Sequence, residues 1–565
     1  MAERSAETQG KVPLDGLEGL WDSRWEAAGV YRFRPGDSVY AVDTPPPSIV
    51  GREPRLIHVL TYTEVDCLVR YARMSGREPF FPVGWDDNDP AIEQRVTQRF
   101  GVRCAGPAPA GADAIEGTVP RSEFFGLAAR VTAEDARPFE QLWRAIGISV
   151  DWSTCYTTLG GRACWVTQKA FLRELAEHQV RRTRPGEGMP GRWELRTGWD
   201  ESVLREAVRE AGAQIQFMPP GMATRLADVL RTRTTDLPIS ERRDFGIPVP
   251  LWYPVNPDGE PDLTRPIIPD ERQLPVDPAL STPPGRHQAE RGIRGGFVAD
   301  PDVFCPDATA SLTPLLPTGW GVDADLFGRT YPMAVRPQGH YIIQSWLFMS
   351  LLRGYFAYGR PPWAEALMSG WIRPARGEAA ELSPMQLVER FGADGVRYWA
   401  ASLQPGRDAI VDLGRMRRGR RLALGLLNLC RFAVLAGAYA ETAQPTEPRD
   451  QALLTSLRAS VGLATRHLER GRLDQALAEA ERLLALLRRR YIPVIRDDVR
   501  SHADRCGASS RAALGIAADV ITRMFAPFLP FAAEYCWSNS HAASVHRAPW
   551  PSDAELTGPG GLERE

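Results

Sequence analysis

Lysine is almost missing from this chain: Lys11 and Lys169 are the only two in 565 residues, and arginine supplies nearly all the remaining positive charge. Chemistry that needs a lysine ammonium beyond residue 169 is therefore excluded. The net charge of −2 leaves no global field toward nucleic acid, so any such contact must come from a local patch. Eight cysteines, at 67, 104, 155, 164, 305, 430, 506 and 536, contain no CxxC pair, which excludes a zinc ribbon and a dithiol redox couple and fits reduced thiols. No apolar run approaches the roughly 18 residues of a membrane-spanning helix. The opening MAERSAETQGK has no apolar core of a signal peptide, and a cytoplasmic location is expected.

Hydrophobic residues make up 43% and charged residues 24%, the balance of a soluble globular chain long enough for several domains. The spacing of Leu17, Leu20, Trp21 and Trp25 predicts an amphipathic helix over 14–34. The organising stretch is 40–71, YAVDTPPPSIVGREPRLIHVLTYTEVDCLVRY. Its apolar run ends at Asp43-Thr44, and three prolines then forbid further sheet pairing. An apolar-periodic segment starts near Leu56. Strand, turn and helix in this order place a crevice beyond the strand, where an open parallel sheet holds its ligand.

This stretch resembles the first signature of the class I aminoacyl-tRNA synthetases, in particular the valyl-tRNA synthetases, which follow DTPPP with HIGH. Here the HIGH positions read Arg55-Leu56-Ile57-His58. Further segments agree in family order: GWDDN at 84–88, ISERRDFGIPVPLWY at 239–253, ATASLTP at 308–314, RPQGHYIIQSWLF at 336–348 and APFLPF at 526–531. The resemblance implies a Rossmann-like, doubly wound parallel α/β catalytic core followed by an all-α anticodon-binding-type helical bundle. The expected partition is 1–172 and 239–402 for the two halves of the core, 173–238 for a connective remnant, 403–538 for the bundle and 539–565 for a tail. Helices are expected over 133–152, 171–180, 414–438, 473–491 and 511–525, and mostly loop over 254–300.

By resemblance, Pro46, Pro47, Asp86, Asp87 and Asn88 belong to the amino-acid pocket, with Asp86 holding the amino group. Ile57, Gly339, His340, Tyr341, Gly370, Trp371 and Ile372 fall at the nucleotide, and His58 and Arg55 at the chemistry. ATP and magnesium are implied as reactants. Yet the chain departs from the pattern where those reactants bind. Ile57 puts a branched side chain where the family glycine lets adenine approach. Tyr341 replaces the carboxylate that holds the ribose. Asp307 stands where a tryptophan walls the pocket: buried, it would cost several kcal/mol unless protonated, so the pocket has changed, the loop has moved, or the residue lies at the surface. The KMSKS loop is absent, WIRPARGEAAELSP over 371–384 taking its place. Arg373 or Arg376 could reach a phosphate, but no lysine follows to stabilise developing charge.

The Pro/Gly/Arg linker 181–193 stands where valyl-tRNA synthetases insert an editing domain, and thirteen residues cannot house one. Such a site exists because an apolar pocket rejects a hydroxyl isostere only about a hundredfold. The C-terminal coiled-coil arm does not follow the bundle. The densest basic cluster is RMRRGRR, with Arg417, Arg418, Arg420 and Arg421 as candidate tRNA phosphate contacts or a solvated, internally paired face. Three readings stay open: a valine–tRNA ligase; a non-catalytic module binding tRNA or protein; or a repurposed enzyme taking an amino acid or aminoacyl-tRNA in the old pocket. Missing signatures weigh against the first, and ATP and magnesium are then not used.

Overall fold

The computed structural model describes residues 14, 16–105, 116–184, 191–197, 202–233, 235–374, 381–500 and 505–557. Five parallel strands build the central sheet: β1 Val39–Ala41, β2 Glu78–Phe80, β3 Gln216–Met218, β4 Met333–Gly339 and β5 Trp363–Ser369. β2 pairs with β1, β4 with β5, and β5 with β3. The sheet continues from β1 to β4 through a parallel bridge at Val42 and Val335, with the Asp43 N–H donating to the Val335 carbonyl at 3.0 Å. The order is thus β2-β1-β4-β5-β3. The chain turns outward in opposite senses from β1 and β4, and their carboxyl ends flank the switch-point crevice.

The helices that frame the crevice and build the bundle are α1 Leu17–Ala27, α2 Leu56–Met74, α3 Arg121–Ala145, α4 Ala223–Thr232, α5 Ala393–Ala401, α6 Leu413–Leu435, α7 Pro448–Leu468, α8 Leu473–Leu486, α9 Arg505–Phe525 and α10 Pro530–Trp537. α2 is buried nearly all round, its Glu64, Asp66, Arg70 and Arg73 included. Its buried Asp66 accepts from Arg70 at 2.8 Å, from the Ser149 N–H at 2.7 Å and pairs with Arg397 of α5 at 2.7 Å. These partners hold the Asp66 carboxyl down at about 2 although burial alone would raise it. One carboxylate thereby fastens α2 to the helix that leads into the bundle.

The helix boundaries correct several expectations. α1 stops at Ala27 because Gly29 takes a left-handed φ of +58°. α3 starts at Arg121, twelve residues before the predicted start, since Phe124, Ala128 and Val131 already bury its face. Helix Gly161–Ala176 ends where Val180 enters a strand, so 171–180 is only partly helical. The face of Leu473, Leu477, Ala480, Leu484, Leu487 and Tyr491 is buried as the spacing requires.

Strand Val180–Arg182 pairs antiparallel with Trp193–Leu195, Arg182 opposite Trp193. The Thr183 N–H donates to the Arg192 carbonyl at 2.8 Å. The two described ends of the linker are thus paired as antiparallel strands. Past α10 the chain returns to the sheet domain: Trp550 donates its N–H to the Met74 carbonyl at 2.7 Å, and Arg547 pairs with Glu78 at 2.9 Å. Among the described residues no helix is long and apolar enough to cross a membrane.

Candidate functional site

α2 begins at the crevice. Arg55 caps it from an extended conformation and is exposed, and its backbone N–H donates to His58 Nδ1 at 3.1 Å. With Nδ1 accepting, the ring proton of neutral His58 sits on Nε2. Burial against Phe139 and Trp143, then the nearby Arg55 charge, push His58 down to about 4, so it is neutral near pH 7. Ile57 is buried in the main apolar core, not projected into open space.

Tyr341 stands at the mouth instead. Its ring lies so close over Gly339 that a Cβ there would come within 2.1 Å of it, so a larger residue at the end of β4 would have to push the half-exposed ring aside. The same ring meets Trp371 edge to face, centroids 4.7 Å apart. Burial raises the Tyr341 phenol, and Arg55 acts on it in the opposite sense. His340 is clamped between Arg225 of α4, 3.0 Å from Nδ1, and Asp408, 2.8 Å from Nε2. An arginine can only donate, so the His340 proton lies on Nε2 and donates to Asp408. Asp408 also accepts the Trp371 N–H at 3.0 Å and has Arg373 at 3.8 Å. Ile372 bridges to Ala409, and the 407–408 backbone covers Gly370 so tightly that a Cβ would fall 1.8 Å from the Arg407 carbonyl. Gly339, His340, Tyr341, Gly370, Trp371 and Ile372 are therefore brought together as expected, but they close on one another. Arg376 lies outside the described residues.

The amino-acid end is built differently. Asp86 donates its N–H to the Pro47 carbonyl at 3.0 Å, and Pro46 lies half-buried beside it. The Thr158 hydroxyl donates to Asp86 at 2.7 Å while accepting the N–H groups of Asp87 and Asn88. Burial raises Asp86 to about 7 and Asp87 to about 6. Asp87 is filled by Leu159 N–H and Thr132, and Asn88 by Phe304, Thr309 and Arg243, so both are structural supports. The Asp86 carboxyl is held by the Thr158 hydroxyl and by the Asn88 backbone N–H. Asp307 is exposed at the start of the short helix Pro306–Ala310. It is the surface aspartate among the three alternatives, although partial burial by its neighbours still raises its carboxyl.

Sequence reasoning missed a buried arginine near this segment. Arg336 on β4 is fully buried, lies 3.5 Å from Asp43, and is sandwiched between Trp346 and Trp363 at 3.3 and 4.2 Å. None of its three nitrogens has a hydrogen-bond partner among the described residues. Desolvation pushes Arg336 down to about 9. Tyr156 covers Gly84 beside Asp43, Asp86 and Arg336. The RPQ triplet was the available signal, since an arginine inside a buried strand needs a reason. Among the described residues no three His, Cys, Asp or Glu side chains are grouped to hold a metal ion.

The basic cluster lies on α6. Arg418 pairs with Glu481 of α8, and Arg420 is half-buried with a partner of its own. Arg417 and Arg421 are exposed. The four do not act as one free face.

Residues 21–185 and 193–412 match the profile of the tRNA synthetases class I (I, L, M and V), and 450–564 match the anticodon-binding domain of tRNA ligase. A valine–tRNA ligase of Salinispora tropica is 30% identical over 97% of this chain and 89% of its own length. That of Thermobifida fusca is 30% identical over 98% and 87%. Among solved structures, the agnB2 LeuRS of Agrobacterium radiobacter K84, in a ternary complex with tRNA and LeuAMS, superposes with a TM-score of 0.71 at 14% identity, over 97% of this chain and 91% of that one. The methionyl-tRNA synthetase of Mycobacterium tuberculosis bound by methionyl-adenylate gives 0.65 at 16%, over 88% and 93%. Sheet order, switch-point crevice, helical bundle and these matches agree: the chain belongs to the class I tRNA synthetases, in the valine–tRNA ligase family.

Proposed function

We propose that this protein is a valine–tRNA ligase relative that has given up ATP-dependent activation of valine and editing, and that it works on tRNA or aminoacyl-tRNA through the retained fold. The observation that carries this reading is the Tyr341 ring over Gly339, locked edge to face on Trp371. A nucleotide laid against the end of β4 meets that ring. The lysines that would meet a triphosphate are missing from the sequence. ATP and magnesium do not fit this end of the crevice, and no step is assigned to them.

The amino-acid end supports use of an amine-bearing substrate. Burial raises Asp86 to about 7, so an arriving ammonium would draw it into the ionised form. A substrate that arrives already esterified to tRNA needs this end and not the nucleotide end. The pairing of Val180–Arg182 with Trp193–Leu195 supports the loss of editing, since only ten residues separate these strands where an inserted domain would depart.

The test is calorimetry with two ligands. ATP at millimolar concentration is expected to give no binding heat, while valyl-tRNA binds. ATP binding accompanied by turnover would overturn the reading.

A further inference from the structure

The segment that carries Asp86 also borders a cleft that Asp86 itself does not line. Between α3 and the 157–161 segment the described residues enclose about 580 Å³, the size of a small-molecule site. Buried Trp85 and Asp87 lie at its floor, and half-buried Phe125 stands on the α3 side. The rest of the α3 wall is small. Gly126 and Ala129 are exposed, and a Cβ added at Gly126 would meet nothing within 4 Å. The charge around this space is of one sign. Its ionisable lining residues, among those described, are Asp87 and Glu140, and none of the arginines of this arginine-rich chain lines it. Asp87 is held by the Leu159 N–H at 2.8 Å and by the hydroxyls of Thr132 at 3.1 Å and Thr158 at 3.2 Å. These donors are neutral, so they fix the carboxylate without cancelling its charge. Burial raises Asp87 to about 6, which leaves it mostly ionised near pH 7. Glu140 is only partly offset, because one guanidinium, Arg144, serves Glu140 at 2.9 Å, Glu26 at 3.0 Å and Asp22 at 3.5 Å.

We infer that this cleft binds a small arylalkylamine, its ammonium drawn to the Asp87 and Glu140 charges and its ring laid on Trp85 and Phe125 against the small-residue wall of α3. Two uncancelled carboxylates beside aromatic faces attract a cation, and an aromatic ring adds to that attraction when the cation lies over its face. The apolar wall excludes a strongly hydrated metal ion, which keeps its water and needs several oxygen ligands. The same charges repel phosphates and carboxylates, so neither a nucleotide nor an organic acid fits. The inference is independent of the function proposed above.

The probes are tryptamine, its neutral counterpart indole-3-ethanol and the anion indole-3-acetate, each titrated into the full chain by calorimetry near neutral pH. Tryptamine is expected to bind at one site. Indole-3-ethanol should bind about tenfold more weakly or worse, as the loss of one unit charge beside a partly buried carboxylate gives, and indole-3-acetate should not bind. Glu140→Gln should weaken tryptamine by about two- to fivefold and leave indole-3-ethanol unchanged. Gly126→Phe combined with Ala129→Phe fills the cleft from an exposed helix face and should abolish tryptamine binding. Replacing a glycine inside a helix favours the helix, so thermal melting should show this variant folded. Gly126→Ala adds one methyl group to open space and should bind tryptamine as the wild type does. Indole-3-ethanol binding as tightly as tryptamine would overturn the assignment of an amine. Unchanged tryptamine affinity in the filled variant would place the amine elsewhere and overturn the site, and a wild type that binds no tryptamine at millimolar concentration would overturn both.

Discussion

Tyr341 and Trp371 meet edge to face at 4.7 Å across the carboxyl ends of β4 and β5, and the Tyr341 ring roofs Gly339. The two residues come from strands paired in parallel, with Gly339 opposite Ser369, so sheet register alone brings them together. On the function proposed above, this contact occupies the nucleotide end of the crevice, while Asp86 serves the other end.

Opening the mouth should restore ATP binding without restoring chemistry. Tyr341→Glu removes the ring and returns a carboxylate for the ribose; its position is half-exposed, so stability should change by less than about 0.5 kcal/mol. Weak ATP binding should then be detectable by calorimetry, and stronger in combination with Ile57→Gly. The second change costs more, because Ile57 is 6% exposed and packed in the core. Truncating such a residue costs about 2–5 kcal/mol, which chemical denaturation will show. If neither variant binds ATP, the obstruction lies elsewhere, with the 407–408 backbone over Gly370 next in line.

Stability should fall as pH rises from about 4 to about 8. Buried Glu64 of α2, which accepts from the Ser369 hydroxyl at the end of β5, is pushed up to about 8 by desolvation. Asp86 and Asp394 are raised to about 7 for the same reason. In this window the folded chain holds protons that the unfolded chain has released, so the slope of unfolding free energy against pH is negative. Glu64→Gln, which stays neutral, should flatten the upper part of that slope in urea melts read at several pH values. An unchanged slope would mean that Glu64 is already ionised in the fold.

Much of the fold was legible. DTPPP marked the end of β1 because proline cannot continue a ladder, and apolar periodicity found the bundle helices. Pairings between distant segments were not. Nothing local to Arg225, His340 or Asp408 says that they meet, and the burial of Arg336 between two tryptophans is decided by β4 register. Burial of Asp307, the most costly of its three alternatives, follows only if the family position is taken as a pocket wall, whereas its helix presents it to solvent. Ile57, which the sequence suggests stands in the crevice, packs in the core, while the Tyr341 ring stands over Gly339.

The basic cluster on α6 should contribute unequally to RNA binding. Arg417 and Arg421 are exposed, whereas Arg418 is spent on Glu481. Removing one phosphate-binding charge should flatten the slope of log affinity against log salt by about 0.9 on duplex RNA, taking the B-DNA value as a guide. Arg417→Ala with Arg421→Ala should therefore flatten it by up to about 1.8, and Arg418→Ala by less than either. A slope that none of these variants changes would place the RNA on another surface.

The most direct measurement is valine-dependent exchange of pyrophosphate into ATP by the full chain. Each donor removed from a developing charge costs about 10²–10³ in rate, and on the proposed function several are missing together while the Tyr341 ring stands over Gly339. Exchange is predicted to be indistinguishable from a reaction without enzyme, at any valine concentration. Robust exchange that requires valine would contradict the account, because the crevice would then have to open around ATP despite the Tyr341–Trp371 contact.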